Sequence, residues 1–164
     1  MKKEDTYQLK FDTYSSIDEL DQEDRDLLLK ALEVSEQAYA PYSGFEVGAS
    51  VLLENGEVIT GTNQENVAFP SGICAERTAF YYAGTHYSSQ KIKSVAVTAK
   101  SRNFEVNYPV SPCGSCRQAM YEYESNQGTP IKVIMMGESG EVRIVHSVAD
   151  LLPFTFHEKG LKKY

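Results

Sequence analysis

The 164-residue chain is short of several features that would place it in common protein classes. Basic residues are the first shortage: 16 Lys and Arg stand against 23 Asp and Glu, a formal net charge of -7. A broad phosphate-binding surface needs clustered cations, so no nucleic-acid partner is expected, whereas a small neutral substrate tolerates this balance. Long apolar runs are also missing. No stretch approaches the roughly 20 apolar residues of a membrane span, and no membrane partner is expected. The opening "MKKEDTYQLK" is too polar and acidic for a secretory leader, which makes the cytoplasm the expected compartment.

Cysteine is scarce and odd in number, with Cys74, Cys113 and Cys116 alone. That argues against a disulfide framework and for metal binding or catalysis. Histidine is equally scarce, and none of His86, His146 and His157 sits at a finger-like spacing from the cysteines. There is no internal repeat, low-complexity tract or Pro/Ser-rich linker. A single domain over residues 21–164 is therefore the simplest organisation, preceded by an arm at residues 1–20. In that arm "TYQLKFD" alternates Tyr7, Leu9 and Phe11 with polar residues, as a short half-buried strand does.

What the chain does have is strong local patterning. Asp21 can cap a helix whose apolar face is Leu27, Leu28, Ala31, Leu32, Val34, Ser35 and Ala38, ended by Pro41 and Gly44. "EVGASVLL" and "EVITGTN" flank "ENGE", whose Asn-Gly predicts a hairpin turn. A helix is predicted from about Cys74 to Tyr87, a buried strand at "IKSVAVTAK" and a second helix at "CGSCRQAMYEYES". Strands at "IKVIMMG" and "EVRIVHS" follow, then a short helix at "VADLLPF". The order α-β-β-α-β-α-β-β-α predicts an α/β fold: a mixed five-stranded sheet with helices on its faces.

The chemistry centres on two stretches, "SGICAERTAF" (71–80) and "SPCGSCRQ" (111–118). Cys113-x-x-Cys116 alone is open between a redox pair, half a zinc site and two buried thiols. Cys74 shares its setting, a loop entering a predicted helix, where the helix N-terminus favours thiolates. If both helices start at one sheet edge, three thiolates meet. Three protein ligands and an open position are the design of a catalytic zinc. Glu76 could then exchange protons with a zinc-activated water, although alone it is also a first-turn acid that suits the helix dipole. Arg77 could withdraw charge from a sulfur, since Zn²⁺ with three thiolates carries net charge -1; alone it reads equally well as a surface arginine.

Together these residues resemble the cytidine deaminase family in its small, homotetrameric, three-cysteine form. The matching pieces are "APYSGFEVGA" (40–49), "GTNQENVAFPSGICAERTA" (61–79), "SPCGSCRQ" (111–118) and "DLLPFTF" (150–156), in family order. The resemblance implies a three-layer α/β/α sandwich and one zinc per chain on Cys74, Cys113 and Cys116. It implies zinc-activated water adding at C4 of cytosine, with Glu76 moving protons to N3 and then to the leaving amino group. It further implies Ala75 main chain holding the base and Phe45 packing beside it. Asn63 and Glu65 would take the ribose 3′-hydroxyl, and Phe156 would reach a neighbouring subunit's site in a homotetramer. The expected substrate is a pyrimidine nucleoside, cytidine or 2′-deoxycytidine.

Three departures stand out: Phe69 where many relatives have Tyr, a slightly long "SRNFEVNYPV" before the C-x-x-C, and the N-terminal arm. Deamination of another aminopyrimidine, such as a blasticidin-like antibiotic, is the nearest alternative. A zinc-stabilised nucleoside-binding module is the non-enzymatic one.

Overall fold

The computed structural model describes residues 1–158, 160 and 161. Its elements are β1 (Asp12–Tyr14), α1 (Gln22–Ser35), β2 (Phe45–Leu53), β3 (Val58–Thr62), α2 (Ala75–His86), β4 (Ile92–Ser101), α3 (Gly114–Gln127), β5 (Lys132–Met135) and β6 (Val142–Val145). The predicted terminal helix is one 3-10 turn, Val148–Leu151.

The strands form one mixed sheet in the order β1-β6-β5-β4-β2-β3. The β4–β5 pair, joined through α3, is parallel, and every other pairing is antiparallel. The expected five strands are thus six. The extra strand is β1, which pairs with β6 from Asp12↔Ile144 to Tyr14↔Val142 and so covers what would otherwise be an open sheet edge. The strand expected around Tyr7–Phe11 lies a few residues later than predicted. Tyr7, Leu9 and Phe11 sit outside the ladder and line a small cavity with Met135, Val145 and Leu151. The Tyr7 hydroxyl donates to the Asp150 carbonyl, and Arg143 lies 5.7 Å from the centre of the Phe11 ring. Their alternation records docking on the sheet margin, not strand pairing.

The two sheet faces follow the period-2 pattern of the strands. Ala49, Val51 and Leu53 with Val95 and Val97 pack against Ala79 and Phe80 of α2 and Met120 of α3. Leu52, Ala96 and Ile134 face the other way, onto Leu27, Leu28 and Ala31 of α1. The result is a three-layer α/β/α sandwich. Helix α1 begins at the predicted cap, with Asp21 Oδ1 accepting from Asp24 N at 2.9 Å. It ends at Ser35, earlier than Pro41, because the chain leaves the helix to pair with the segment after β3: Tyr39 N donates to Asn63 O and Glu65 N to Tyr39 O.

Two glycines set how closely the helices approach. A Cβ on Gly48 would lie 2.0 Å from the Ala31 carbonyl oxygen of α1. One on Gly61 would lie 2.5 Å from the Ala75 carbonyl oxygen and 2.6 Å from Ala79 N of α2. Both obstacles are backbone, so a methyl group forces the whole helix outward. Gly48→Ala and Gly61→Ala are each expected to destabilise the fold by about 1–3 kcal/mol, read as a lower urea midpoint at unchanged m-value.

Candidate active site

Strands β3 and β4 both run antiparallel to β2, and so run parallel to each other. Each leads into a helix on the same face of the sheet, so α2 and α3 start at the same sheet edge. Cys74 is the residue before α2, with extended backbone at φ -79 and ψ 155. Cys113 stands in the same position before α3, at φ -67 and ψ 166. Neither side chain makes a capping bond to its helix. Cys116 is buried in the first turn of α3.

The three sulfurs converge. Cys74 and Cys113 Sγ are 3.9 Å apart, Cys113 and Cys116 Sγ 3.5 Å, and all three lie within 4.8 Å of one another. Tetrahedral zinc with Zn–S bonds of about 2.3 Å sets sulfurs about 3.8 Å apart. A soft thiolate donor set at this spacing fits zinc, and three donors leave one position for an outside ligand.

Charge around the cluster is organised in the same sense. A hydrogen bond from Cys116, supported by Arg77 and Cys113, brings the Cys74 thiol down to about 5 despite partial burial. Cys116 shifts upward, because it holds the proton it shares with Cys74 and because it is buried. Arg77 Nη2 donates to Cys74 Sγ at 3.6 Å, and this contact holds the guanidinium proton still more firmly.

Glu76 is 4% exposed. Burial first, and the neighbouring Cys74 charge second among the raising effects, push its carboxyl above the usual range. Because Cys74 is a cap and not a helical residue, the turn of about 200° between helical positions two apart, which would point Glu76 away from it, does not apply.

An open cleft of about 490 Å³ lies beside Cys74, lined among others by Tyr42, Ser43, Asn63, Glu65, Phe69 and Ile73. Asn63 and Glu65 both reach it, and both also hold its wall. Asn63 Oδ1 accepts from Val47 N at 2.8 Å while Nδ2 donates to Phe45 O at 2.9 Å. Glu65 Oε2 accepts from Tyr42 N at 2.8 Å and Ser43 N at 3.3 Å. Hydrogen bonds from the Ser43 side chain and the Tyr42 backbone hold its carboxyl below the usual range. Phe69 meets Tyr42 edge-on at 5.7 Å. Ala75 is fully buried at the start of α2.

Two residues of the expected site stand apart from this cleft. Phe45 opens β2 with its ring stacked on Phe104, and it is not among the cleft-lining residues. Phe156 projects from the C-terminal segment at 71% exposure, its backbone held at both N and O by the Gln118 side chain.

Sequence reasoning missed the supports of the site. Arg117 Nε donates to Pro112 O at 2.8 Å and Nη1 to Leu151 O at 3.2 Å, tying the loop before Cys113 to the C-terminal segment. Buried Glu124 accepts from the backbone N–H groups of Ile131, Val148 and Ala149 and from the Ser147 hydroxyl. Arg117 and Gln118 directly follow the C-x-x-C, the one signal that could have singled them out. Glu124 had no local signal.

A thiolate-rich centre with an open position, set beside a buried carboxylate and a cleft, defines a zinc-dependent hydrolase. The comparisons narrow the class. Residues 21–129 match the family described as the cytidine and deoxycytidylate deaminase zinc-binding region. A cytidine deaminase of Halalkalibacterium halodurans is 38% identical over 81% of this chain and 94% of its own length. One of Sporosarcina psychrophila is 38% identical over 82% and 92%. The crystal structure of cytidine deaminase from Burkholderia pseudomallei superposes with a TM-score of 0.68 at 36% identity, over 80% of this chain and 97% of that one. The chain belongs to the cytidine and deoxycytidylate deaminase family and carries one zinc per chain.

Thiol labelling checks the metal centre. Zinc-loaded protein is expected to resist alkylation by iodoacetamide at Cys74 and Cys113. Chelator-stripped protein is expected to label at both, with buried Cys116 slower, and mass spectrometry reads the sites.

Proposed function

We propose that the chain catalyses hydrolytic deamination of cytidine and 2′-deoxycytidine to uridine and 2′-deoxyuridine with release of ammonia, a reaction of pyrimidine salvage. The observation that carries this reading is the convergence of three thiols and one buried carboxylate beside a cleft whose wall holds Asn63 and Glu65. Cys74, Cys113 and Cys116 hold the ion, which when bound supplies a water acidified enough to act as the nucleophile at C4. Glu76 moves the protons. A carboxyl with a raised proton affinity in a dry setting can take a proton from that water and give it to N3 of the base, then take the proton of the new C4 hydroxyl and pass it to the departing amino group. Arg77, hydrogen-bonded to Cys74, draws charge from the thiolates and keeps the centre electrophilic.

The same reading assigns the binding residues. Ala75 offers main-chain groups to the base, and Phe45 flanks it. A carboxylate has about four acceptor sites. Tyr42 N, Ser43 N and the Ser43 side chain account for three on Glu65, which leaves capacity for a sugar hydroxyl next to Asn63.

The cleft supports a free nucleoside over a nucleotide or an oligonucleotide. Its wall presents the Glu65 carboxylate, and no lysine or arginine is among its described lining residues. Residues 21–164 form the catalytic domain and residues 1–20 an accessory arm. Phe156, exposed in one chain and tethered by Gln118, completes a neighbouring subunit's site in a homotetramer. The cytoplasm is the proposed compartment. Among the described residues no helix is long and apolar enough to cross a membrane.

Glu76→Gln tests the reading directly. It is expected to keep its zinc while kcat on cytidine falls by about 10²–10⁴-fold. Retained turnover reassigns the proton shuttle, and loss of zinc with activity makes Glu76 a structural residue. A panel of cytidine, 2′-deoxycytidine, cytosine, blasticidin S and a cytosine-containing oligonucleotide is expected to show turnover of the first two above the rest. Faster turnover of blasticidin S or of the oligonucleotide contradicts the nucleoside assignment. Nucleoside binding without turnover of any member would make the chain a binding module.

A further inference from the structure

The cleft wall at residues 42–47 is held from two sides. On the cleft side stand Asn63 and Glu65, bonded to the backbone of Tyr42, Ser43, Phe45 and Val47. On the outer side stands the turn that follows β4. Arg102 N donates to Gly44 O at 3.0 Å, and Asn103 Nδ2 donates to Ser43 O at 3.3 Å. The Arg102 guanidinium donates twice to Glu46 Oε1, from Nε at 2.9 Å and from Nη2 at 2.6 Å, while the Glu46 side chain is only 11% exposed.

The Phe104 ring stacks on Phe45 with centroids 6.3 Å apart and planes 28° from parallel. Gly44, at φ +65, brings the two segments into contact, since a Cβ there would lie 3.2 Å from Asn103 Nδ2. Arg102, Asn103 and Phe104 are not among the cleft-lining residues; their bonds and ring contact end on the wall itself.

We propose that Arg102, Asn103 and Phe104 are positioning residues for nucleoside binding, an outer clamp that fixes the 42–47 wall where Tyr42 and Ser43 line the cleft. The proposal rests on the assignment of the cleft as the nucleoside site. A wall held in place before binding loses little freedom when the ligand arrives. Releasing it weakens ground state and transition state alike, which raises KM and leaves kcat in place.

The experiment compares zinc-loaded wild type with Arg102→Ala, Phe104→Ala and Phe104→Tyr. It measures zinc content, cytidine kinetics and hydrogen exchange across residues 42–47. The two alanine variants are expected to keep one zinc per chain and kcat within about twofold, with KM raised about two- to tenfold and exchange at 42–47 accelerated. Phe104→Tyr, which preserves the stacked ring, is expected to restore the wild-type KM.

An unchanged KM in both alanine variants overturns the proposal. So does a fall in kcat together with zinc, which marks a general loss of structure, or a Phe104→Tyr variant as impaired as Phe104→Ala. Wild type that binds zinc but does not turn over cytidine overturns the functional reading and the nucleoside part of the proposal with it. The exchange data separate that failure from failure of the clamp.

Discussion

Everything at the site depends on how closely α2 lies on β3. At Gly61 the backbone of the helix, through Ala75 O and Ala79 N, occupies the space of the missing side chain. The Thr78 hydroxyl lies 3.2 Å from Thr62 O and 3.1 Å from Cys74 O, linking the strand end to the residue that caps the helix. That contact fixes Cys74 in height above the sheet edge. Arg117 performs the matching service on the neighbouring helix by holding the Pro112 carbonyl just before Cys113. Two independently anchored helix starts then place three sulfurs within 4.8 Å, although Cys74 and Cys113 are 39 residues apart in sequence. The backbone, not the reactive side chains, carries the precision.

The electrostatics follow from that geometry. Three sulfurs and a carboxylate that is 4% exposed concentrate negative charge in a small volume. Two helix N-termini and the Arg77 guanidinium offset part of it, and a divalent cation accounts for the rest. The hydrogen bond between Cys74 and Cys116 shifts their thiols in opposite directions, and a bound metal would deprotonate both as its ligands. Burial that would be a cost for a structural glutamate gives Glu76 the proton affinity its proposed role requires.

Much of this was legible in the chain, and the reasons are local. Asp21, the Asn55-Gly56 turn and the two cysteine-led helix starts each announce themselves within a few residues, and the structure has a cap, a hairpin and two helices there. The apolar run "IKSVAVTAK" marked a buried strand for the same reason, and β4 is buried along most of its length. What local pattern could not show was partnership across the sheet. Tyr7, Leu9 and Phe11 have strand periodicity, yet the ladder belongs to Asp12–Tyr14, because β6 supplies the open edge at that register. Helix α1 stops at Ser35 because Tyr39 has a bridging partner in the loop after β3, a choice made by distant backbone. Asn63 and Glu65 carry a second task that no spacing reveals, since Tyr42–Val47 is about 20 residues away in sequence. The clamp from Arg102 to Phe104 is hidden for the same reason.

The central claim is that one zinc, held by Cys74, Cys113 and Cys116, serves hydrolysis of an exocyclic amine on a pyrimidine nucleoside. The most direct test measures zinc content and ammonia release on a single preparation of the unmodified chain supplied with cytidine. The account predicts about one zinc per chain, with uridine and ammonia formed in equal amounts and turnover lost on chelation. Protein that holds no zinc, or that holds zinc and releases no ammonia from cytidine, contradicts it.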